Sequence, residues 1–491
     1  MKRPAAFVLV LVATVLFAAT RTHALTYAAG DDNIAYLSVH QLGYDGSDVI
    51  TAVIDTSFPL DTHRTFYTSG SDTTTRVTRT DWYGGAHDVG PIGHANSVAG
   101  IMAGRGKGDG TYLGVAPGAE IWAASCGTVD NIERAFLDFS APDGEDRSCQ
   151  IFTMALAFSE GGQPVPDDGE SQFVKLMDWL AVERDVLVAF GSGNSPDRIR
   201  IPGGAYNHLT VGGLKENLTE VGDDSGRGPT ADGRCKPDVV APGTNLYLPG
   251  YSGDDTWMHD TSGKTYTSNA APFAAGVAAL VRQYGDDQGW TWDPRVAKSV
   301  IMNGAVKLPG WSHTDVLPLD NEQGAGRLDA ARTYYQYAAG EYDPGTVDMV
   351  GWDLDNVNSL LNNLYHLTDT VQKGDWIGAT LNWYRYTSAT DDNLLGPNWT
   401  TDRFENLDLF LYRESDNVLV AQSVSALDSV EHIWYHVGQT DTYRLEVDLL
   451  GAGDFDETYA LSWATHVPEP ATLTLVGLGF VGAAWLRRRR K

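Results

Sequence analysis

Four polar residues, widely separated in the chain, are of the types that together cleave amides. Asp55 ends the apolar stretch VITAVID, His94 lies in GHANSVAGIMAG, Asn194 lies in FGSGNSP, and Ser268 lies in TYTSNAAPFAAG. Hydrolysis through a serine needs a hydroxyl nucleophile, an imidazole that accepts and returns its proton, a carboxylate that orients the imidazole, and donors for the oxyanion. These residue types fill all of those roles if the fold brings them together.

Each of these residues also has a structural explanation when it is taken alone. Ser268 stands at the mouth of an alanine-rich helical stretch, where a hydroxyl commonly caps the free backbone donors. Asp55 fits a turn after a strand, a lone His94 is usually structural, and Asn194 fits a loop. The chemical interpretation therefore depends on a fold that gathers all four.

The elements that would position these residues alternate along the chain from 49 to about 339. Short apolar runs predict buried strands: VITAVID, EIWAAS, QIFTMALAF, VLVAFGSG, HLTVGGL and PDVVAPG. Between them, HANSVAGIMAG, DNIERAFLDFS, SQFVKLMDWLAVER and the run from Ser268 have helical spacing. This alternation predicts an α/β fold, a mostly parallel sheet flanked by helices, with its sites at the carboxyl ends of the strands.

The composition changes after about residue 340. From 347 to 465 apolar and polar residues alternate between Asp, Asn and Gly turns, which predicts a smaller antiparallel β-sandwich. Its aromatic residues, such as Trp376, Trp383 and Tyr384, suggest a glycan-binding surface as one function. Aromatic residues on strands more often belong to the core.

Both ends of the chain have the composition of processing signals. Residues 1–24 combine an early basic pair, an apolar run and a small-residue end, which predicts a secretory signal peptide. At the other end, Pro468-Glu469-Pro470 precedes the apolar stretch 471–486 and a basic end, a marginal membrane-spanning segment. The predicted domains are the signal peptide 1–24, a catalytic domain 25–340, a β-sandwich 341–466 and a tail 467–491.

Charge excludes one class of partner. The formal charge of the chain is −29, although the two ends are basic, so the body between them is more acidic still. Such a body repels phosphate backbones, so we expect no nucleic acid partner. The three cysteines, Cys126, Cys149 and Cys235, allow at most one internal disulfide and have no metal-ligand spacing.

Several segments resemble one known family, the subtilisin-like serine proteases (subtilases, peptidase family S8). AVIDTSFP, GHANSVAGIMAG and TYTSNAAPFAAGVAALV resemble the segments around their catalytic Asp, His and Ser, and GVAPGAEIWA and GRGPTADGRCKPDVVAPG also resemble family segments. The order of the three is that of subtilisin. The resemblance covers roughly 41–339 and implies Asp55 as the orienting acid, His94 as the general base and acid, Ser268 as the nucleophile and Asn194 as an oxyanion donor.

The chain departs from the family pattern close to two of these residues. The family usually has Gly-Thr-His after the catalytic His, where this chain has Ala95, Asn96 and Ser97, and Tyr266 stands where it usually has Gly before Thr-Ser. A tyrosine there could narrow the site. These departures keep open an alternative, a catalytically impaired subtilase fold that binds peptide or matrix at the cell surface.

The tail resembles the PEP-CTERM sorting signals that bacterial exosortases are thought to recognise. Together, the resemblance of the tail and the resemblance to subtilases imply an exported serine endopeptidase that acts on protein or peptide substrates. Its expected location is the cell surface, outer envelope or extracellular matrix, with a membrane contact through the tail and an exosortase-type enzyme as processing partner. We expect no cofactor for the chemistry. Structural calcium is common in such proteins, but no spacing here is specific enough to name metal ligands.

Overall fold

The computed structural model describes residues 23–24, 34–69, 73–81, 93–107, 111–141, 147–160, 163–164, 167–390, 398–450 and 456–465. Most of the predicted signal peptide and all of the predicted sorting tail lie outside the described residues.

The part of the chain before residue 340 contains short strands and all of the described helices. Its strands are β1 (His23–Ala24), β2 (Ile50–Asp55), β3 (Val77–Asp81), β4 (Thr111–Leu113), β5 (Glu120–Ser125), β6 (Ile151–Met154), β7 (Ser159–Glu160), β8 (Gln163–Pro164), β9 (Leu187–Gly191), β10 (Leu209–Leu214), β11 (Val239–Pro242), β12 (Tyr247–Pro249) and β13 (Trp257–His259). Its helices are α1 (Tyr36–Gln41), α2 (Gly93–Ala103), α3 (Val129–Ser140), α4 (Gln172–Arg184), α5 (Thr267–Gln288), α6 (Pro294–Asn303) and α7 (Ala330–Ala338), with a 3-10 turn at Arg64–Phe66.

A seven-stranded sheet organises this part of the chain, in the order β11-β10-β9-β6-β2-β5-β3. All neighbouring strands are parallel, and Asp55 at the end of β2 lies in register with Ser125 at the end of β5. Every residue of β2 and of β10 is buried, as expected for a parallel sheet that is covered on both faces. The predicted fold class is thus confirmed for this half.

The helices form a separate core on each face of the sheet. Residues of α2, α5, α6 and α7 share one buried apolar cluster, and residues of α3 and α4 share another. Small residues let α5 approach its neighbours closely: a Cβ on Gly276 would lie 2.5 Å from Cβ of Val115. This close packing explains why the helix that carries Ser268 is rich in alanine and glycine.

Two further sheets follow, built from β14 (Gly345–Val347), β15 (Val350–Val357), β16 (Asn363–Leu367), β17 (Trp376–Trp383), β20 (Asn406–Arg413), β21 (Val418–Ser423), β22 (Val430–His436), β23 (Tyr443–Leu450) and β24 (Glu457–Thr465), while β18 (Tyr386–Ala389) and β19 (Trp399–Arg403) form a separate hairpin. One sheet has the order β14-β16-β23-β20-β21 and the other β15-β24-β17-β22. Their pairs are antiparallel except β14 with β16. Both sheets contribute to one apolar core, which confirms the predicted sandwich.

The sandwich packs directly on the α/β part. Trp352, Val430 and Ala460 belong to the same apolar cluster as α5 and α6, and Trp399 of the hairpin β18–β19 packs beside α4. The domain boundaries at 340 and 466 stay predictions. Two of the aromatic residues considered for glycan binding, Trp383 and Tyr384, are 1% and 3% exposed and are core residues.

Two smaller expectations can be compared with the structure. No helix within the described residues has both the length and the apolar character needed to cross a bilayer, so the prediction of a transmembrane protein is corrected; the tail that prompted it lies outside the described residues. Cys126, Cys149 and Cys235 are all buried, and Cys149 and Cys235 are free thiols.

Candidate active site

Asp55 is the best-defined member of the predicted set. It closes β2, an interior strand that lies between β6 and β5, and is fully buried. Its Oδ1 accepts a hydrogen bond from the backbone N–H of Thr56 at 2.6 Å, and its Oδ2 lies 2.7 Å from Nδ1 of His94. Because Thr56 fixes one oxygen of this buried carboxylate, the other oxygen is held in position toward the imidazole of His94.

His94 lies in the first turn of α2, and its Nδ1 contacts this oxygen of Asp55. Its side chain is 36% exposed, so one edge of the ring faces Asp55 while the ring stays accessible. Burial lowers the pKa of His94, but the hydrogen bond and the charge of Asp55 outweigh burial and raise that pKa above its ordinary value. Because Asp55 accepts at Nδ1, the neutral ring carries its proton there and leaves Nε2 as a base.

Ser268 is the second residue of α5 and is 7% exposed. Within the described residues its hydroxyl forms no hydrogen bond, so His94 and Ser268 are not joined in this structure. Its backbone N–H is also without a hydrogen-bond partner among the described residues, as expected for the first turn of a helix. The structure thus joins Asp55 to His94 and leaves Ser268 unbonded on a helix that packs against α2.

Asn194 follows the end of β9 and is hydrogen-bonded to Thr267, the residue before Ser268. Its Oδ1 accepts hydrogen bonds from the backbone N–H and the hydroxyl of Thr267, at 2.8 and 3.0 Å. The same hydroxyl accepts a hydrogen bond from the N–H of Gly193 at 3.1 Å. With Oδ1 fixed in this way, Nδ2 of Asn194 has no partner in the described part of the chain and can donate to a ligand.

Thr267 is a residue that sequence reasoning did not select as part of the site. The sequence signal was present, since a hydroxyl at the mouth of a helix suggests a hydrogen-bonding role. The structure instead uses Thr267 to orient Asn194.

Tyr266, which replaces a family glycine, occupies the N-cap position of α5. Its backbone is extended, with φ −110° and ψ 116°, and its side chain is half-buried. An extended backbone is open to any residue, so the tyrosine is accommodated without strain. The idea that it narrows the site stays a prediction.

Asn96, the second departure from the family pattern, is fully buried in α2. Its Oδ1 accepts from the backbone N–H of Leu60 at 2.9 Å, and its Nδ2 donates to the carbonyls of Pro249 and Gly250 at 3.1 and 2.7 Å. One side chain therefore fastens two loops to the helix that carries His94.

Structural calcium is common in such proteins, so we searched the described part of the chain for ligands. Within the described residues, no group of three or more His, Cys, Asp or Glu side chains is gathered closely enough to hold a metal ion. We therefore assign no metal ligands.

Comparisons with known proteins identify the family of this chain. Residues 46–326 match the subtilase family of peptidases, peptidase family S8. The chain belongs to the subtilase family. This confirms the resemblance seen in the sequence and supports the prediction of an enzyme.

Individual subtilases are similar to about half of the chain. The serine protease AprX of Bacillus subtilis is 32% identical over 269 residues, which are 48% of this chain and 57% of AprX. Pyrolysin of Pyrococcus furiosus is 27% identical over 46% of this chain and 18% of its own length. Subtilisin Savinase of Lederbergia lenta is 30% identical over 55% of this chain and 88% of its own length. This subtilase chain thus spans about half of AprX and less than a fifth of pyrolysin.

Two further comparisons concern the fold and the tail. The solved structure of the prenylagaramide maturation protease PagA is 19% identical, covers 62% of this chain and 98% of its own, and superposes with a TM-score of 0.47. Residues 466–490 match the PEP-CTERM protein-sorting motif, which confirms the predicted sorting signal.

Proposed function

We propose that this subtilase is an exported serine endopeptidase in which Asp55, His94 and Ser268 form the triad. Ser268 Oγ attacks the carbonyl carbon of a peptide bond while Nε2 of His94 takes its proton. His94 then returns the proton to the leaving amine, and a water attacks the acyl-enzyme by the same route. Asp55 holds the imidazole in the required tautomer throughout.

Two donors are available for the oxyanion that forms on the carbonyl oxygen. Nδ2 of Asn194 is the first, since Thr267 fixes the other end of its amide. The backbone N–H of Ser268 is the second, at the positive end of the dipole of α5. Donors that are fixed before reaction stabilise the transition state without reorganisation.

The observation that carries this proposal is the 2.7 Å contact between Nδ1 of His94 and the buried carboxylate of Asp55. The missing bond between His94 and Ser268 is compatible with it. In enzymes without substrate, catalytic hydrogen bonds are often long or poorly aligned, and they tighten in the complex.

Export is proposed from the ends of the chain. The PEP-CTERM motif at 466–490 and the signal-peptide pattern of residues 1–24 support secretion from a bacterial cell to its surface, outer envelope or matrix. An exosortase-type enzyme would be the processing partner. Extracellular proteins or peptides would be the substrates.

A second candidate function is favoured by the unbonded hydroxyl of Ser268. A subtilase fold that has lost the contact between Ser268 and His94 could bind peptides without cleaving them. Such a protein would hold extended peptide through backbone hydrogen bonds alone.

Labelling with a serine-directed fluorophosphonate separates the two functions. We expect the purified full chain to be labelled, and Ser268→Ala to be folded but unlabelled. Ser415→Ala, which removes an exposed hydroxyl in the sandwich, is the matched control and should label normally. A folded wild-type chain that takes up no label and cleaves no peptide in a library would favour the binding function.

A further inference from the structure

A short loop beside His94 is held by hydrogen bonds from two other parts of the chain. This segment, 250–256, is called the rim loop below. Its ends are closed by a hydrogen bond from the N–H of Gly250 to the carbonyl of Thr256 at 2.7 Å. It follows β12, and Asn96 of α2 donates to the carbonyl of its first residue.

The far side of the rim loop is fastened to the segment that follows Asp55 in the chain. The N–H of Arg64 and the hydroxyl of Thr62 donate to the backbone carbonyl and the carboxylate of Asp254, at 2.8 and 2.6 Å. Nε2 of the fully buried His63 donates to the carbonyl of Thr256 at 2.8 Å. The rim loop is thus held by α2, which carries His94, and by residues 62–64, which follow Asp55 in the chain.

The rim loop places one aromatic ring against the residue next to His94. A Cβ on Gly93 would lie 2.5 Å from Cδ1 and 2.8 Å from Cε1 of Tyr251. Only a glycine at 93 leaves room for this contact, because real Cβ atoms do not approach carbon so closely. The ring of Tyr251 therefore lies on the bare backbone at the start of α2, one residue from the imidazole.

Tyr251 is nevertheless 52% exposed. A rigidly held loop that leaves half of a large aromatic residue uncovered beside a reactive group has the character of a contact surface for a ligand. The uncovered surface would be buried by a substrate whose scissile bond lies at His94.

We propose that Tyr251 is a specificity-determining residue, which packs against an aromatic or large aliphatic side chain of the substrate close to the scissile bond. The inference rests on the proposed peptidase function and adds the class of substrate. Asn96 is a positioning residue in this scheme, since it fastens the rim loop to α2.

The test compares the wild-type full chain with Tyr251→Ala and Tyr251→Phe in a positional peptide library. At one position within two residues of the cleaved bond, wild type should prefer aromatic or large aliphatic residues over alanine. In Tyr251→Ala this preference should fall about tenfold, mainly through KM, and in Tyr251→Phe it should persist. Leu360→Ala, which removes a side chain that is 87% exposed in the sandwich, is the control and should match wild type.

Labelling by the fluorophosphonate is measured in parallel. Tyr251→Ala should still take up the label, which would show that the variant is folded and that its serine is reactive. If wild type cleaves peptides but Tyr251→Ala keeps every positional preference, this inference alone is overturned. If wild type neither labels nor cleaves, the proposed function and this inference are both overturned.

Discussion

Arg385 of the C-terminal part donates from two nitrogens to a single oxygen of Asp178 in α4. Its Nε and Nη2 lie 2.9 and 2.5 Å from Oδ2, and the two side chains are 2% and 0% exposed. Arg385 also supplies its carbonyl to Nδ2 of Asn207 at 2.8 Å. A buried ion pair thus joins the sandwich to the α/β part.

We expect Arg385→Met to destabilise the protein by about 3–5 kcal/mol, because it leaves the carboxylate of Asp178 buried without its partner. Urea unfolding followed by tryptophan fluorescence measures this loss. Arg413→Met is the matched control, since Arg413 pairs with the more exposed Asp416, and it should cost much less stability because solvent screens an exposed pair. Equal losses in the two variants would contradict the interpretation.

A second prediction concerns Asn194 as oxyanion donor. Asn194→Ala should lower kcat by about 10²–10³ with little change in KM, because the lost hydrogen bond forms in the transition state. Asn194→Asp keeps an acceptor for Thr267 but loses the donor, so its kcat should fall at least as far. Asn217→Ala, which removes an exposed amide, is the control. An active Asn194→Asp variant would show that the residue only orients Thr267.

The pH profile tests the contact between Asp55 and His94. Burial lowers the pKa of His94, but the hydrogen bond and charge of Asp55 outweigh it and raise that pKa above 6.5. Since the general base must be neutral, kcat/KM should fall as the pH falls through the raised pKa, with a midpoint above 6.5.

Asp55→Asn removes the charge and completes that test. The acid midpoint of kcat/KM should move to lower pH, and kcat should fall by about 10⁴ because the tautomer is no longer fixed. A midpoint that does not move would show that another group titrates.

The sequence was sufficient to predict which kind of element carries Asp55, Asn194 and Ser268. Alternating strands and helices imply a parallel sheet, and side chains that follow buried strands then gather at its carboxyl edge. Asp55 and Asn194 each come at or just after the end of a strand, β2 and β9. The spacing of apolar residues in the run from Ser268 likewise predicted a helix, which is α5.

The contacts between distant segments could not be predicted in the same way. Asn96 was visible as a departure from the family pattern, but its bonds to Leu60 and Pro249 depend on loops that no periodicity describes. The ion pair of Arg385 and Asp178 could not be predicted from the sequence either. Charged residues are expected at the surface, and only the tertiary structure shows that these two side chains are buried together as an ion pair.

The last prediction concerns a buried carboxyl group in the sandwich. Asp353 of β15 is 1% exposed, and the hydroxyl of Tyr365 donates to its Oδ2 at 2.6 Å. Burial, helped by neighbouring acidic groups, raises the pKa of Asp353 to about 7 from an ordinary 3.8. The folded protein therefore holds this proton more tightly than the unfolded chain does.

The sign of the effect on stability follows from that difference. The contribution of Asp353 is fully present below a pH of about 4 and is lost as the pH rises through about 7. Wild type should lose roughly 2–4 kcal/mol relative to Asp353→Asn between about pH 4 and about pH 8, at about 1.4 kcal/mol per unit of pKa.

Urea unfolding of both proteins across this range measures the change. Asp353→Asn keeps an acceptor for Tyr365 but cannot titrate, so its stability should depend less on pH than that of wild type. Asp402→Asn, which alters an exposed carboxylate on β19, is the control and should follow wild type. If the stabilities of wild type and Asp353→Asn change in parallel with pH, Asp353 is ionised in the folded protein and the prediction is wrong.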